Sequence, residues 1–192
     1  MTTDSSQLVR DAQAETPGAL DQLVTHWLPV VLRWCIRLGG PGVNAEDAAQ
    51  EAFETMFSRL PTLRQPDAFP SWMYGVTRRV LARHRRRAWV RRWVPGMSIA
   101  ETPDASADPF RHAEEAQTAA RIWECMARLS VFHREVLVLC DLEERADSEV
   151  AEMLGIPKAT VKSRLRRARE ALRAELGDLQ DSILPEADLE GS

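Results

Sequence analysis

Apolar residues recur three and four positions apart almost throughout the chain, the period of a helix with one buried face, and strand-like alternation is missing. Leu20, Leu23, Val24, Trp27, Val31, Trp34 and Leu38 form a first stripe, closed by Gly39-Gly40-Pro41-Gly42. Asn44 then stands at an N-cap position, with Glu46 and Asp47 in the following turn, where the helix dipole favours acids. Ala48, Ala49, Ala52, Phe53, Met56, Phe57 and Leu60 make the second stripe, stopped by Pro61. A third begins around Pro66 to Pro70 and runs through Trp72, Met73, Val76, Val80 and Leu81 into a run of arginines. From Val94 to about Ala113 the pattern fails: Pro95, Gly96, Pro103 and Pro109 sit among small polar residues, the composition of a linker. Four shorter stripes follow, the last two being Val150, Met153, Leu154 and Val161, Leu165, Ala168, Leu172. The pattern predicts an all-α chain of two small helical domains joined by a flexible linker. The expected boundaries are 15–93, a linker over 94–115, a second domain over 116–176 and an acidic tail over 177–192.

The most informative stretch runs from Asp147 to Arg169. A short helix with Ala151 and Leu154 inside ends at Gly155, which can adopt the left-handed conformation of a sharp turn. Ile156 is placed to plug the angle between two helices, and Pro157 suits the start of the second. Asp147 or Ser148 is expected to cap the first. On the second helix Val161, Leu165, Ala168 and Leu172 face the core. Lys162, Arg166, Arg169 and Arg173 follow the same spacing one residue later and face outward, with Ser163 and Arg167 beside them. A second helix with an exposed basic N-terminal part is what reading the major groove requires, so this segment is expected to be a helix-turn-helix.

The charge distribution points the same way. The 192 residues carry a net charge of −4, but the sign is segregated. Residues 71–95 hold 8 arginines and no acid, and residues 158–176 hold 7 basic side chains against 2 acidic. Two basic blocks in an otherwise acidic chain suggest two contacts with a polyanion, since neutralising phosphates releases counterions. The apolar runs are far too short for a membrane span, and the polar stretch Met1 to Arg10 predicts no secretory leader. Cys35, Cys125 and Cys140 are odd in number and widely spaced, which predicts reduced thiols in a cytoplasmic protein without direct membrane insertion.

Three segments resemble one family. Asn44-Ala-Glu-Asp-Ala-Ala-Gln-Glu-Ala-Phe53 is similar to the region 2 helix of bacterial sigma factors of the small extracytoplasmic-function (ECF) group. Phe69-Pro-Ser-Trp-Met-Tyr-Gly-Val-Thr-Arg78 and the basic residues after it resemble that group's next helix. Gly155-Ile-Pro-Lys-Ala-Thr-Val-Lys-Ser-Arg164 with Arg167-Ala-Arg169 resembles its region 4. The resemblance implies a subunit that binds core RNA polymerase and directs it to promoter DNA. Asp47, Gln50 and Glu51, on one helix face, would bind the polymerase. Tyr74, Arg78, Arg79, Arg83 and Arg86 would meet the −10 element. Lys158, Thr160, Lys162, Ser163, Arg166 and Arg167 would meet the −35 element. Arg79 stands where the family commonly has asparagine. An anti-sigma factor is the further partner the family implies.

No Walker loop, GxGxxG or HExxH occurs, and His26, His84, His112 and His133 are scattered, so neither catalysis nor a cofactor or metal is expected. Two other classes stay open on the residues alone. One is a helix-turn-helix regulator that binds duplex DNA without polymerase, and the other is a helical adaptor whose basic faces are merely solvated.

Overall fold

A computed structural model describes residues 5–93 and 122–183, with side chains described for 5–90 and 122–177. The chain divides into two compact units, residues 1–101 with 151–156 and residues 102–150 with 157–192. Every regular element among the described residues is helical. The expected linker over 94–115 lies outside them.

The first unit is built from α1 (Ser5–Gln13), α2 (Ala19–Gly39), α3 (Ala45–Arg59) and α4 (Phe69–Trp93). Short 3-10 turns at Leu60–Thr62 and Pro66–Ala68 join α3 to α4. Helix α2 buries Leu23, Trp27, Val31, Trp34 and Leu38, as its stripe predicts, with Cys35 buried beside them, but Leu20 stays 40% exposed. It ends where Gly40 and Gly42 take positive φ, a turn that side-chain-bearing residues adopt only with strain. Asn44 caps α3 as expected, its side chain accepting from the Asp47 N–H at 3.0 Å. The core is aromatic. Trp27 meets Phe69 edge to face with centroids 5.2 Å apart, lies 6.1 Å from Trp34, and Trp34 meets Tyr74 edge to face at 5.2 Å.

Helix α1 lies ahead of the expected boundary at residue 15. Only Leu8, Val9 and Ser6 are buried on it, too few for a stripe to stand out in a polar segment. It packs on α2. The Gln13 side-chain amide also ties it down, donating to the carbonyls of Leu60 and Leu63 at 2.8 Å each. Those carbonyls lie in the turn after α3, where that of Leu60 also accepts from the Leu63 N–H at 3.1 Å.

The second unit has a helix over residues 122–128 (α5), then α6 (Val131–Leu137), which passes directly into a π-helical turn at Val138–Leu142. α7 (Asp147–Leu154) and α8 (Lys158–Ile183) follow. Helix α8 packs on α6, with Val161, Leu165 and Ala168 buried beside Val136 and Leu137. Arg134 is buried, its guanidinium donating to the carbonyls of Ala127 at 2.8 Å and Leu129 at 3.2 Å at the end of α5. Helix α8 continues to Ile183, through part of the expected tail; residues 184–192 lie outside the described set.

Replacing Gln13 by alanine removes two hydrogen bonds to the turn after α3. The first unit should lose about 1–2 kcal/mol of stability, read as a lowered denaturation midpoint by tryptophan fluorescence. An unchanged midpoint would mean that α1 is not anchored there.

Candidate functional sites

The expected polymerase-binding residues all lie on α3, but they do not present one open face. Asp47 and Gln50 are exposed, and the Gln50 amide donates to Glu54 at 3.0 Å. Glu51 turns towards α4. Its Oε1 accepts from Arg83 at 2.7 Å, His84 Nε2 lies 2.6 Å from Oε2, and Arg87 approaches to 3.7 Å. An ionised carboxylate only accepts, so the shared proton of the His84 contact is carried by Nε2. Burial raises the Glu51 carboxyl, but the hydrogen bonds from His84 and Arg83 and the charges behind them outweigh it. The group ends below its ordinary value.

Helix α4 carries the first basic block. Arg79, Arg83 and Arg86, at i, i+4 and i+7, share an exposed face, and Arg78 beside them is half-buried. Arg85 turns inward, donating to the Leu38 carbonyl at 2.8 Å, where the C-terminal end of α2 favours a cation. Tyr74 corrects the sequence expectation. It is completely buried against Trp34, so no base can stack on it. An aromatic residue beside arginines gave no sign of this; its spacing from Leu81, two turns further along the stripe, did. Trp72 is half-buried against Phe69, and Phe57, expected in the core, is 43% exposed. The aromatic side chain on the outside of this helix is Trp89, 63% exposed and one turn beyond Arg86. The Trp93 side chain lies outside those described.

The turn between α7 and α8 follows from its residues. Gly155 has φ +65°, and its N–H donates to the Glu152 carbonyl at 3.2 Å. Ile156 N–H reaches the Ala151 carbonyl at 3.0 Å, completing a Schellman closure of α7. Thr160 and Val161 then donate to the Pro157 carbonyl, which opens α8. The α7 cap differs from expectation: neither Asp147 nor Ser148 supplies it. Glu149 reaches back to accept from the Ala146 N–H at 3.0 Å, the returning half of a capping box. Lys158, Lys162, Ser163, Arg166 and Arg167 are exposed and Thr160 half-exposed. The Ser163 hydroxyl donates to the Thr160 carbonyl at 3.0 Å, leaving its lone pairs outward. Arg164 stands over the Phe132 ring at 5.2 Å.

The cysteines are free thiols, and burial pushes Cys35 up to about 12 and Cys140 up to about 11, which keeps both protonated. Among the described residues no group of three or more His, Cys, Asp or Glu side chains is placed to hold a metal ion. None of the described helices is long and apolar enough to cross a membrane.

Comparison with known proteins joins the two units. The family model for Sigma-70 region 2 matches residues 23–91, and that for Sigma-70 region 4 matches residues 119–172. The ECF RNA polymerase sigma factor SigL of Mycobacterium tuberculosis is 31% identical over 173 residues, covering 89% of this chain and 96% of that protein. The chain belongs to the ECF family of RNA polymerase sigma factors. A probable sigma factor, RfaY of Xanthomonas campestris, is 37% identical over 169 residues, and SigE of Mycolicibacterium smegmatis is 30% identical over 162. The match covers 86% and 84% of this sigma factor but spans only 42% and 62% of those two proteins. Two solved structures share the fold. One is CnrH in complex with the cytosolic domain of CnrY, with a TM-score of 0.67 and 23% identity over 91% of this chain and 98% of that one. The other is the sigma factor RpoE with the anti-sigma factor NepR from Bartonella quintana, with a TM-score of 0.61 and 20% identity over 83% and 98%. A region 2 match in the same chain as a region 4 match separates this sigma factor from a helix-turn-helix regulator acting alone.

The Glu51 cluster has a pH signature. A carboxyl whose folded value is depressed stabilises the fold above its unfolded value and loses that contribution as pH falls through the folded one. The stability advantage of the native chain over Glu51→Gln should be about 1 kcal/mol at neutral pH. It should fade below the ordinary carboxyl value of 4.5. Denaturant unfolding of both chains across that range checks this, and an advantage constant down to strongly acidic pH would contradict the assignment.

Proposed function

We propose that this chain docks on core RNA polymerase through α3 and directs it to promoters by engaging the −10 element with α4 and the −35 element with α8. The observation that carries the reading is the build of α8. A left-handed glycine turn sets the helix, Val161, Leu165 and Ala168 hold it from behind, and Lys158, Lys162, Ser163, Arg166 and Arg167 stand exposed along its first turns. Arginine can bond guanine through two contacts, while lysine serves phosphates.

On α3 the docking surface is formed by the exposed Asp47 and Gln50, a carboxylate and an amide suited to basic partners. Glu51 borders them and takes part from the α4 side. On α4 the groove for a displaced strand is supplied by Arg78, Arg79, Arg83 and Arg86. The chain itself carries out no chemistry; it positions the polymerase. It acts in the cytoplasm, where its DNA and polymerase are. The two structural neighbours were each solved with a protein partner, NepR being named an anti-sigma factor, and an anti-sigma factor is proposed as the restraint on this chain too.

Mixing the purified chain with core polymerase should give a co-eluting complex that makes specific run-off transcripts; a chain that fails to select start sites overturns the proposal. Asp47→Ala with Gln50→Ala should weaken co-elution while leaving the helical signal unchanged, and undiminished co-elution would reject the docking face. Arg166→Ala should cost about 1–3 kcal/mol of −35 discrimination if the side chain is bidentate to guanine. A uniform loss across sequences would instead mark it as a phosphate contact.

A further inference from the structure

The outward stripe of α8 is basic by sequence but not uniform in structure. Lys162, Arg166, Arg169 and Arg173 line one open depression together with Leu165 and Asp147. Arg166 is paired with Glu170 of the same helix by one bond of 2.9 Å, and both side chains are more than half exposed. Pairs of this kind open readily to solvent or to a competing anion. Arg169 is held differently. Its Nε donates to Asp141 Oδ2 at 2.9 Å and its Nη2 to Oδ1 at 2.6 Å, two parallel bonds to a residue 28 positions earlier. Asp141 sits in the π-helical turn after α6, so the pair ties α8 to a separate element. Asp141, and more weakly Asp147, raise Arg169 above the ordinary guanidinium value.

We infer that Asp141 is a positioning residue for α8: by clamping both donors of Arg169 it fixes the helix against the π-turn and withholds that cation from the phosphate backbone. Arg169 then drops out of the basic stripe that α8 offers to duplex DNA, although its neighbours on that stripe stay exposed. This rests on the reading of α8 as the −35 helix. A bidentate guanidinium–carboxylate pair neutralises the arginine and fixes its plane. To reach a phosphate, Arg169 would have to leave two charge-assisted bonds at once, whereas Arg166 leaves one.

The salt dependence of promoter binding by holoenzyme made with the full chain tests it, because each neutralised phosphate contributes about 0.9 to the logarithmic slope. Lys162→Ala should flatten the slope by about that amount, and Arg169→Ala should leave it as in the native chain. Asp141→Asn should free Arg169 and steepen the slope by a similar increment, and Asp141→Asn with Arg169→Ala should return it to the native value. A flattened slope for Arg169→Ala overturns the inference, as does Asp141→Asn with native melting temperature and no steepening. If Asp141→Asn lowers the melting temperature, the Arg169→Ala arm decides alone. Slopes unchanged in both Lys162→Ala and Arg166→Ala would instead reject the reading of α8 and the clamp with it.

Discussion

The first unit depends on an aromatic chain that crosses it. Phe69 and Tyr74 of α4 are seated edge to face on Trp27 and Trp34 of α2, and Trp27 and Trp34 lie against each other. Edge-to-face packing has a preferred geometry, unlike aliphatic contact, and these four rings bury large apolar area as well. They fix α4 about its own axis. Once that rotation is set, Arg79, Arg83 and Arg86 have no place but the outer face, and Arg85 meets the end of α2. The basic surface is therefore a consequence of the core behind it.

Both units also hold a carboxylate within their basic surface. Glu51 of α3 engages Arg83 and His84 of α4, and Asp141 engages Arg169 of α8. Each pair joins separate elements and orders a long, otherwise mobile side chain, which lowers the entropy that a later partner must remove. Each also trims local positive potential, and that reduces attachment to nucleic acid of any sequence. The modest net charge of −4 is thus the sum of placed oppositions, not of dilute charge.

The main helices were legible because their stripes are long: α2, α3, α4 and α8 each bury residues at the recurring three- and four-residue spacing. Asn44 and Gly155 were legible because each sits where its conformation or side chain is needed. Helix α1 was not, since its anchoring rests on two apolar residues and an amide whose acceptors lie 47 and 50 positions away. Among the site residues, spacing put Asp47, Gln50 and Glu51 on one face. It could not show that the third has an arginine and a histidine, 32 and 33 positions along the chain, as partners. Tyr74 was misassigned because its residue type suggested stacking on bases while its phase placed it inside.

The π-turn at Val138–Leu142 has a bearing on how this unit tolerates changes in length. Its Glu143 N–H bonds the carbonyl of Val138, five residues back instead of four, so the turn accommodates one residue more than an α-turn would. Deleting a single residue here would leave a regular α-helix, an easy backbone to adopt. Because the wider turn absorbs the extra residue within a single turn, the side chains beyond the deletion would keep their direction relative to α6. A sequence one residue shorter at this point can therefore carry the same surface beyond it, and a gap placed here in an alignment marks a turn tightened from π to α, not a rotated helix.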